Sequence, residues 1–475
     1  MKKVLLILGL LIFSFSFVYA EFTKDGLTLT GYIKNEAALG TKVHQMQKFK
    51  DIVGISGEYK FNENIAFFAS FKYWYDHVYS WYGKYDSAQY YMQHIQRNDW
   101  LRDCYLDIIS GPWFLRLGKQ QVAWGQADGI AILDRLNPVD LTEFWLPDAV
   151  DLRIPLWMMN INYSPKVNSN LQLLIIPDFE QSTAAPPNAP FAFRSYKLFM
   201  DFKQRWESNA WIGGFPPPFL RGDVYTNIYY PAKKFNNSKI GLQWKDRFLG
   251  WDYTLNYLYG YDYLARTYND GNIIGPGGII HPNYGRKFKL VQMAGGSLNH
   301  TFTQEGLLEG ITLRSDAAVY LDEPTYYGDP ARGSASGVVR WNNIFWLVGL
   351  DRNFFTKWTV SFQFAQYILA HETPGIAGHP EYKPLNSYTY GAQDRCENIF
   401  SLKIMTKFYN ERIKPEVLWS FTDDNQGRVS PKISYEISDH LMATLGWDYF
   451  YGNEKDSNGQ FRKSNQVYLF LKYSF

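Results

Sequence analysis

The chain has 475 residues, and its 48 Lys and Arg against 46 Asp and Glu give a formal net charge of +2. This balance excludes a polybasic, nucleic-acid-binding protein. The aromatic fraction of 18%, with 36 Tyr, 34 Phe and 16 Trp, exceeds what a soluble enzyme ordinarily carries and is typical of a membrane barrel with two aromatic girdles.

The N-terminus predicts export. Met1-Lys2-Lys3 is basic, residues 4–17 are apolar, and Val18-Tyr19-Ala20 before Glu21 has the small-residue pattern of a cleavage site. The apolar run is short for a membrane span of about 20 residues, and no Cys follows for a lipid anchor. We expect residues 1–20 to be a signal peptide and residues 21–475 to form one domain.

Most of the remaining chain alternates apolar and polar side chains with a period of two, which predicts strands with one apolar face. The predicted strands are residues 27–34, 51–60, 65–75, 101–110, 113–124, 154–164, 169–178, 236–247, 250–262, 287–302, 310–322, 341–354, 357–370, 396–409, 412–423, 428–438, 440–452 and 465–475. Residues 193–203 and 207–215 are weaker candidates, followed by a polyproline path at 215–219. No second apolar run is long enough for a membrane helix.

Long connections alternate with short ones along this series. The long ones fall at residues 263–286, 323–340, 371–395 and 453–464. Outer-membrane barrels have this pattern, with short turns at one end, long loops at the other and an even number of strands. The sequence therefore predicts an all-β, antiparallel transmembrane barrel of the outer membrane with about 18 strands, within a range of roughly 16 to 20.

Residues 125–153 interrupt the alternation and are too long for a hairpin turn. Asp128 to Arg135 predicts a short helix that ends at Asn137-Pro138. We expect this segment to fold into the barrel mouth, either as a constriction or as a latch that packs against the wall. The residues expected near the constriction are Arg116, Lys119, Asp128, Asp134, Arg135 and Asp140.

If the apolar faces meet lipid, the opposite faces line the lumen. The cationic lumen candidates are Lys72, Arg116, Lys245, Arg314, Lys403, Lys407, Arg428, Lys432 and Lys472. A surplus of positive charge would favour anionic solutes. The alternative is that these groups pair with carboxylates on neighbouring strands and only hold the wall together.

The last strand carries apolar side chains at every second position up to Phe475. It resembles the closing strand of Gram-negative outer-membrane barrels, which implies an assembly signal at Leu471, Tyr473 and Phe475 for the barrel-assembly machinery. We expect this strand to close the barrel against residues 27–38. The outer face should contact lipid and lipopolysaccharide.

Catalytic and metal motifs are weak in this sequence. His371-Glu372 and His379 lie in a Pro/Gly-rich stretch without the i, i+4 spacing of a zinc site on a helix, and no catalytic, metal or cofactor site is predicted. Cys104 and Cys396 could form one disulfide in an oxidising compartment, and we leave this open.

A stretch in the middle of the chain carries a family resemblance. Arg116-Leu-Gly-Lys-Gln-Gln-Val-Ala-Trp-Gly125, followed by Asp134-Arg-Leu-Asn-Pro-Val-Asp140, resembles the signature of a family of proteobacterial outer-membrane barrels of unknown function, Arg-x-Gly-Arg/Lys-Gln, Trp-Gly and Asn-Pro-x-Asp. The wider layout is also similar to porins and alginate-export barrels. This chain has Lys119 where many relatives have Arg. It has Gln126 directly after the Trp-Gly pair, where an acidic residue often stands in relatives.

Three functions remain open at this point. The first is a passive channel for small, anionic or amphipathic solutes. The second is a barrel that serves as a sleeve for a periplasmic electron carrier or an export complex. The third is an enzyme with its site at the barrel rim, and it is the least favoured because no pair of catalytic residues supports it.

Overall fold

The computed structural model describes residues 22–85, 100–207, 223–276, 279–331, 334–355, 357–370 and 383–475. The segments with period-two alternation form 18 long strands. In chain order, β1 to β18 are Leu27–Gly40, Met46–Asn62, Ile65–Asp76, Leu101–Ser110, Trp113–Gln120, Leu156–Lys166, Ser169–Ile176, Lys239–Phe248, Trp251–Tyr261, Leu290–Thr301, Ile311–Asp329, Ser334–Phe354, Trp358–Leu369, Cys396–Met405, Ile413–Thr422, Gly427–Glu436, Leu441–Tyr451 and Gln466–Ser474.

Each strand pairs antiparallel with the next, and the last pairs with the first, so the sheet closes on itself. The closing register runs from Tyr32 opposite Ser474 to Gly40 opposite Gln466. The backbone of Gly31 also exchanges hydrogen bonds with that of Phe475, at 2.6 and 2.8 Å. The prediction of a closed antiparallel barrel with 18 strands is confirmed, including the pairing of its two terminal strands.

The two faces of each strand differ as the alternation predicts. In β18, Val467 and Leu469 are 42% and 40% exposed, whereas the alternating residues Gln466 and Tyr468 are buried. The same alternation of exposed apolar and inward side chains continues along the other strands, for example at Ile55 and Leu255. The outer wall is therefore an apolar surface, and the polar side chains turn inward.

The two ends of the barrel also differ. At the end that holds the C-terminus, strands are joined by short turns such as residues 63–64, 111–112, 167–168 and 249–250, with longer connections at 302–310 and 406–412. We call this the turn end. At the opposite, loop end, the connections include residues 121–155, 177–238, 262–289 and 370–395, with a short one at 423–426.

Some element predictions are wrong. Residues 193–203 form no strand, because Arg194–Glu207 is a helix (α3) whose aromatic side chains recur at helical spacing and meet Tyr284. Residues 323–340 are not a loop, since β11 and β12 extend past the bulge at Tyr320 and pair to Asp329 and Ser334. The predicted polyproline path at 215–219 lies outside the described residues.

The inward segment also differs in detail from the prediction. Strand β5 ends at Gln120 rather than at residue 124, and residues 128–135 form bends instead of a helix. A single helical turn, α2, lies later in the segment at Ala149–Leu152, and another, α1, lies at Val78–Trp81. The predicted signal peptide at 1–20 lies outside the described residues.

Shorter elements complete the structure. They are Phe22–Lys24 beside β1, the parallel pair Asp140–Leu141 and Thr183–Ala184, the three-stranded sheet of Tyr225–Tyr229, Arg266–Ile274 and Ile280–Lys287, the strand Lys383–Leu385 beside β11, and 3-10 turns at Gly83–Tyr85, Phe235–Asn237 and Gly459–Phe461. Among the residues described, no helix has both the length and the apolar character needed to cross a bilayer.

Candidate functional site

Residues 121–155, which we call the inward segment, leave the loop end of β5 and turn into the lumen. Asn137 ties the two ends of this segment together: its Oδ1 accepts from the backbone N–H of Val122 at 2.9 Å, and its Nδ2 donates to the carbonyl of Ile154 at 3.0 Å. Gln120, the last residue of β5, accepts from Asn160 on β6 at 3.2 Å. The Gln and Asn of the recognised signature thus close the neck of the segment.

The segment then crosses to the opposite wall at Gly125. This glycine has φ of +98°, and a Cβ there would lie 2.6 Å from Oδ2 of Asp316 on β11, so only glycine fits without displacement. The carboxylate of Asp316 accepts hydrogen bonds from the backbone N–H groups of Gln126 at 2.9 Å and Ala127 at 3.0 Å. Two consecutive amides on one carboxylate fix the crossing point.

Further contacts hold residues 126–128 against this wall. Arg314 Nη1 donates to the carbonyl of Gln126 at 2.7 Å. The backbone N–H and carbonyl of Asp128 each bond to the side chain of Gln363 at 2.9 Å. The Asp128 carboxylate lies 3.1 Å from Nζ of Lys403 on β14. The first half of the segment therefore reaches across the barrel interior.

Apolar packing secures this half. Ile132, Leu133 and Leu136 are fully buried in one cluster with inward side chains of β9 to β13, including Leu258 and Leu347. Burial of each such side chain contributes about 1.5 to 3 kcal/mol. We infer that residues 124–136 are a fixed part of the barrel interior.

The second half, residues 139–153, is a compact loop with closed ends. Val139 and Arg153 form an antiparallel bridge, and Arg153 Nη2 lies 2.6 Å from the carboxylate of Asp134. Burial raises the pKa of Asp134 even though Arg153 opposes the shift. Asp140 Oδ1 accepts from the amide of Thr142 at 3.0 Å and from the hydroxyl of Thr183 at 2.8 Å. These bonds hold the two ends of the loop together.

A cavity of about 430 Å³ lies between this loop and the wall formed by β1 to β3 and β16 to β18. The wall supplies the cations Lys34, Lys48, Lys50, Lys72, Lys432 and Lys472 and the anions Glu36 and Asp448, whereas the loop supplies Asp140, Glu143, Asp148 and Asp151. The rings of Tyr32, Trp74, Tyr468 and Phe470 lie among them. A basic wall thus faces an acidic loop.

Two loop carboxylates bind wall lysines directly. Glu143 contacts Lys48 through Oε2 and lies 3.0 Å from Lys50 through Oε1, while Asp151 lies 2.6 Å from Lys72. Burial raises the pKa of Glu143, but Lys48 and Lys50 outweigh it, so the pKa falls below its ordinary value. The pKa of Asp151 is lowered in the same way, since Lys72 outweighs burial. Both carboxylates are therefore held in the charged form.

A smaller cavity of about 150 Å³ lies on the other side of the inward segment, near the loop end. Arg135 lies there, 3.5 Å from Glu323, and its guanidinium faces the ring of Tyr320 at 4.8 Å. The Lys239 ammonium donates to the carbonyl of Arg135 at 3.3 Å. These contacts brace the segment against β8 and β11.

Most of the remaining predicted cations form ion pairs with carboxylates on neighbouring strands. Arg116 forms a two-bond pair with Asp107 at 2.7 and 2.8 Å, Arg314 lies 2.8 Å from Asp351, and Lys432 lies 3.3 Å from Glu416. Arg428 is buried and donates to the carbonyl of Trp145 at 2.9 Å.

Two predicted lumen residues lie elsewhere. Lys119 pairs laterally with Cys104 and with Trp157, which is 47% exposed, so it shares the outward face of the sheet. Lys407 lies in the connection 406–412 at the turn end, where its Nζ is 2.9 Å from Glu411. Its position follows because β14 ends at Met405, two residues earlier than the prediction needs.

The prediction missed Lys48, Lys50 and Glu143. The first two precede the predicted start of the second strand at residue 51, although Lys48, Lys50 and Ile52 alternate in phase with its inward face. Extension of that alternation backwards would have found both lysines. Glu143 belongs to a stretch without periodicity, and nothing in the sequence assigns it a partner 93 residues away.

The two cysteines form no disulfide in the described part of the chain. Cys104 and Cys396 are both free, on the non-adjacent strands β4 and β14, so the disulfide that the sequence left open does not form. His371, Glu372 and His379 lie outside the described residues. Among the residues that are described, no three His, Cys, Asp or Glu side chains form a group that could hold a metal ion.

Comparison with known proteins gives one family match and several structural likenesses. The family model DUF1302, "Protein of unknown function (DUF1302)", matches residues 41–475. No curated protein sequence matches the chain. OmpF of Salmonella typhi in complex with daunomycin is similar in structure, with 9% sequence identity, a TM-score of 0.42 and a match over 96% of this chain and 100% of that chain. OccK11 of Pseudomonas aeruginosa has 10% identity and a TM-score of 0.48, over 96% of this chain and 98% of that chain. OccAB4 of Acinetobacter baumannii has 10% identity and a TM-score of 0.48, over 95% of this chain and 98% of that chain.

Proposed function

This chain belongs to the DUF1302 family of proteins of unknown function, and we propose that it is a passive channel of the Gram-negative outer membrane. Its solutes are small, with an anionic group and an apolar or aromatic body. The closed barrel with an apolar outer face supports the membrane assignment. The basic, apolar N-terminal stretch supports export through a signal peptide.

The observation that carries the solute class is the cavity of about 430 Å³ inside the barrel. Its wall lysines lie against aromatic faces: Lys50 Nζ is 4.4 Å from the ring centre of Trp74, Lys48 is 5.1 Å from that of Phe470, and Lys472 is 4.8 Å from that of Tyr32. Ammonium groups bind anions, and the adjacent rings favour an apolar body. Together they favour an amphipathic anion over a sugar.

A sleeve for a protein partner is less well supported. Such a sleeve requires an open lumen that accepts a folded domain, whereas the inward segment here packs across the interior from β5 to β14. A catalytic role is also less well supported. The charged groups around the cavity form ion pairs with one another, and they include no arrangement of a nucleophile and a base.

Refolded protein in planar lipid bilayers tests the proposal. Current steps in KCl, together with swelling of liposomes in sodium benzoate that exceeds swelling in raffinose, are the expected results. Heat-modifiable electrophoretic mobility shows whether the barrel is folded. A folded protein that gives neither current steps nor swelling with any small solute would contradict a channel function. Equal swelling with benzoate and with arabinose, a neutral sugar of similar mass, would contradict the anionic preference.

We also propose that the outward face contacts lipid and lipopolysaccharide, and that the barrel-assembly machinery recognises the C-terminal strand. Leu471 and Tyr473 belong to the outward-facing set of β18, and Phe475 is joined through its backbone to Gly31 on β1. Deletion of Phe475 should reduce the amount of assembled barrel in the outer membrane. A normal amount of heat-modifiable protein in the deletion variant would contradict this role.

A further inference from the structure

We infer that the lysines bound by Glu143 and Asp151 are the binding site for the carboxylate of a passing solute. The two side chains occupy this site when no solute is bound, and the solute enters by displacing their carboxylates. This inference rests on the proposed channel function and specifies its selectivity site. The site comprises Lys48, Lys50 and Lys72 with the ring of Trp74, and its ligand class is an amphipathic or aromatic carboxylate.

The geometry of Glu143 is that of a bound ligand. Its two carboxylate oxygens engage two different ammonium groups, Lys48 and Lys50, while Asp151 engages Lys72 on the neighbouring strand. The lysines belong to the barrel wall, whose register fixes their positions. A solute carboxylate at the same point would make the same charge-assisted bonds.

The aromatic rings explain why an apolar body is favoured beside the carboxylate. Trp74 and Ile52 lie opposite each other on β3 and β2 and both line the cavity. Trp74 lies beside Lys50, and Phe470 lies beside Lys34 and Lys48, at 4.4 to 5.1 Å from ring centre to ammonium. A small anion without an apolar body, such as acetate, would use the lysines alone.

Exchange of one carboxylate for another is energetically feasible here. A buried ion pair loses much of its Coulomb attraction to desolvation, so it adds little net stability, although a single unpaired charge in its place is costly. A solute that supplies a carboxylate as Glu143 leaves keeps the lysines paired throughout. Opening in the presence of such an anion therefore costs less than opening that leaves the lysines unpaired.

The part of the loop that must move is the exposed part. Residues 148–150 are exposed, and the Asp151 side chain is 39% exposed, whereas Phe144 is buried against Phe461 with ring centres 4.6 Å apart. Rotation of the Glu143 and Asp151 side chains releases the lysines while Phe144 stays packed. Arg102 on β4 keeps its hydrogen bonds to the carbonyls of Val150 and Arg153, at 3.0 and 2.6 Å. Unfolding of the inward segment is not required.

The test compares the double variant E143Q/D151N with the matched control E180Q/D201N. Glu180 and Asp201 are about half exposed and pair with Lys233 and Arg205 outside the cavity, so the control removes the same charges elsewhere. Planar bilayers give the reversal potential in a KCl gradient and the concentration of sodium benzoate that halves the KCl current. Acetate serves as a probe that lacks the ring, and benzyl alcohol serves as a probe that lacks the charge.

In E143Q/D151N we expect the reversal potential to shift towards the equilibrium potential of chloride. We also expect benzoate to halve the current at about tenfold lower concentration. Tenfold corresponds to roughly 1.4 kcal/mol, about the contribution of one charge-assisted hydrogen bond. The variant K50Q/K72Q should lose the benzoate effect. If E143Q/D151N matches E180Q/D201N in both measurements while the wild type conducts and benzoate blocks it, the inference is wrong and the channel function stands. If the wild type does not conduct, the channel function itself fails. Should the double variant not fold, D151N alone, at the more exposed position, decides by the same two measurements.

Discussion

The carboxylate of Asp316 on β11 accepts a hydrogen bond at 2.9 Å from the backbone amide of Gln126, a residue 190 positions earlier in the chain. This contact, with the neighbouring amide of Ala127, holds the inward segment where it crosses the lumen. In D316A both amides lose their acceptor in a buried site. We expect the free energy of unfolding to fall by roughly 3 kcal/mol, since hydrogen bonds to charged groups contribute about 1.5 to 3 kcal/mol each.

Urea unfolding of the barrel in lipid vesicles, followed by tryptophan fluorescence, measures this effect. D439A is the matched control, because the Asp439 side chain is 90% exposed and lies 3.7 Å from Arg412 at the turn end. That variant should stay within about 0.5 kcal/mol of the wild type. Equal stability of the two variants would show that the Asp316 contact does not hold the segment.

The barrel could be predicted from the sequence because the membrane imposes a local rule on each strand. Outward side chains must be apolar and inward ones need not be, so the period of two is visible without knowledge of any partner. The helix Arg194–Glu207 was missed for the converse reason. Its stripe of Tyr196, Phe199, Phe202 and Trp206 consists of residues with high strand propensity, and the helical spacing was outweighed by that composition.

A second prediction concerns Gly118, the glycine of the signature stretch on β5. It has φ of +137°, and a Cβ would lie 2.2 Å from the carbonyl oxygen of Cys104 on β4. Both the backbone strain and the clash with backbone oppose any side chain. We expect G118A to lose about 3 kcal/mol or more of stability and to yield little assembled barrel.

The control for this prediction is G111A at the turn between β4 and β5. Gly111 also has a positive φ, +55°, but a Cβ there would have no atom within 4 Å. Strain alone should cost about 1 to 2 kcal/mol. Similar yields of heat-modifiable barrel from G118A and G111A would mean that the close approach to β4 is not what requires glycine.

The site was harder to predict than the barrel, because its contacts join parts of the chain that have no common pattern. The signature residues Gln120, Gly125 and Asn137 stood out, and the structure places all three where the segment enters or crosses the lumen. Their partners, such as Asp316, are ordinary members of alternating strands. Only the closed register of the barrel brings these residues together.

The third prediction is a pH dependence of the channel. The pKa values of Glu143 and Asp151 are lowered in the folded protein, so their ion pairs contribute stability above the unfolded values of about 4.5 and 3.8. That contribution is lost as the pH falls through the lower folded pKa values. We expect chloride selectivity to increase below about pH 4, as Lys50 and Lys72 lose these partners while Lys48 keeps its ion pair with Glu36 at 3.1 Å.

Reversal potentials measured from pH 8 to pH 3 test this expectation. E143Q/D151N should show a smaller acid transition, since these two carboxylates of the cavity are already neutral, whereas E180Q/D201N should retain the full one. An acid transition of the same size and position in all three proteins would assign it to other groups.

The fourth prediction concerns the size of the conducting path. Val139 and Arg153 pair with each other, and the amide of Ile154 donates to the carbonyl of Pro138 at 2.8 Å, so the neck of the loop is closed by its own bonds. Replacement of residues 140–152 by three glycines should keep this neck and the buried cluster of Ile132 and Leu133. The loop that fills the cavity side of the lumen would be gone.

Single-channel conductance of this variant in KCl should increase several-fold, because the path past β1 to β3 is widened. Benzoate should no longer compete with a loop carboxylate, because the lysines of this wall are exposed. The matched control replaces residues 303–309 of the connection at the turn end, outside the barrel wall, by three glycines. If the two replacements leave conductance at the wild-type value while both proteins are folded, the loop braces the barrel and does not constrict it.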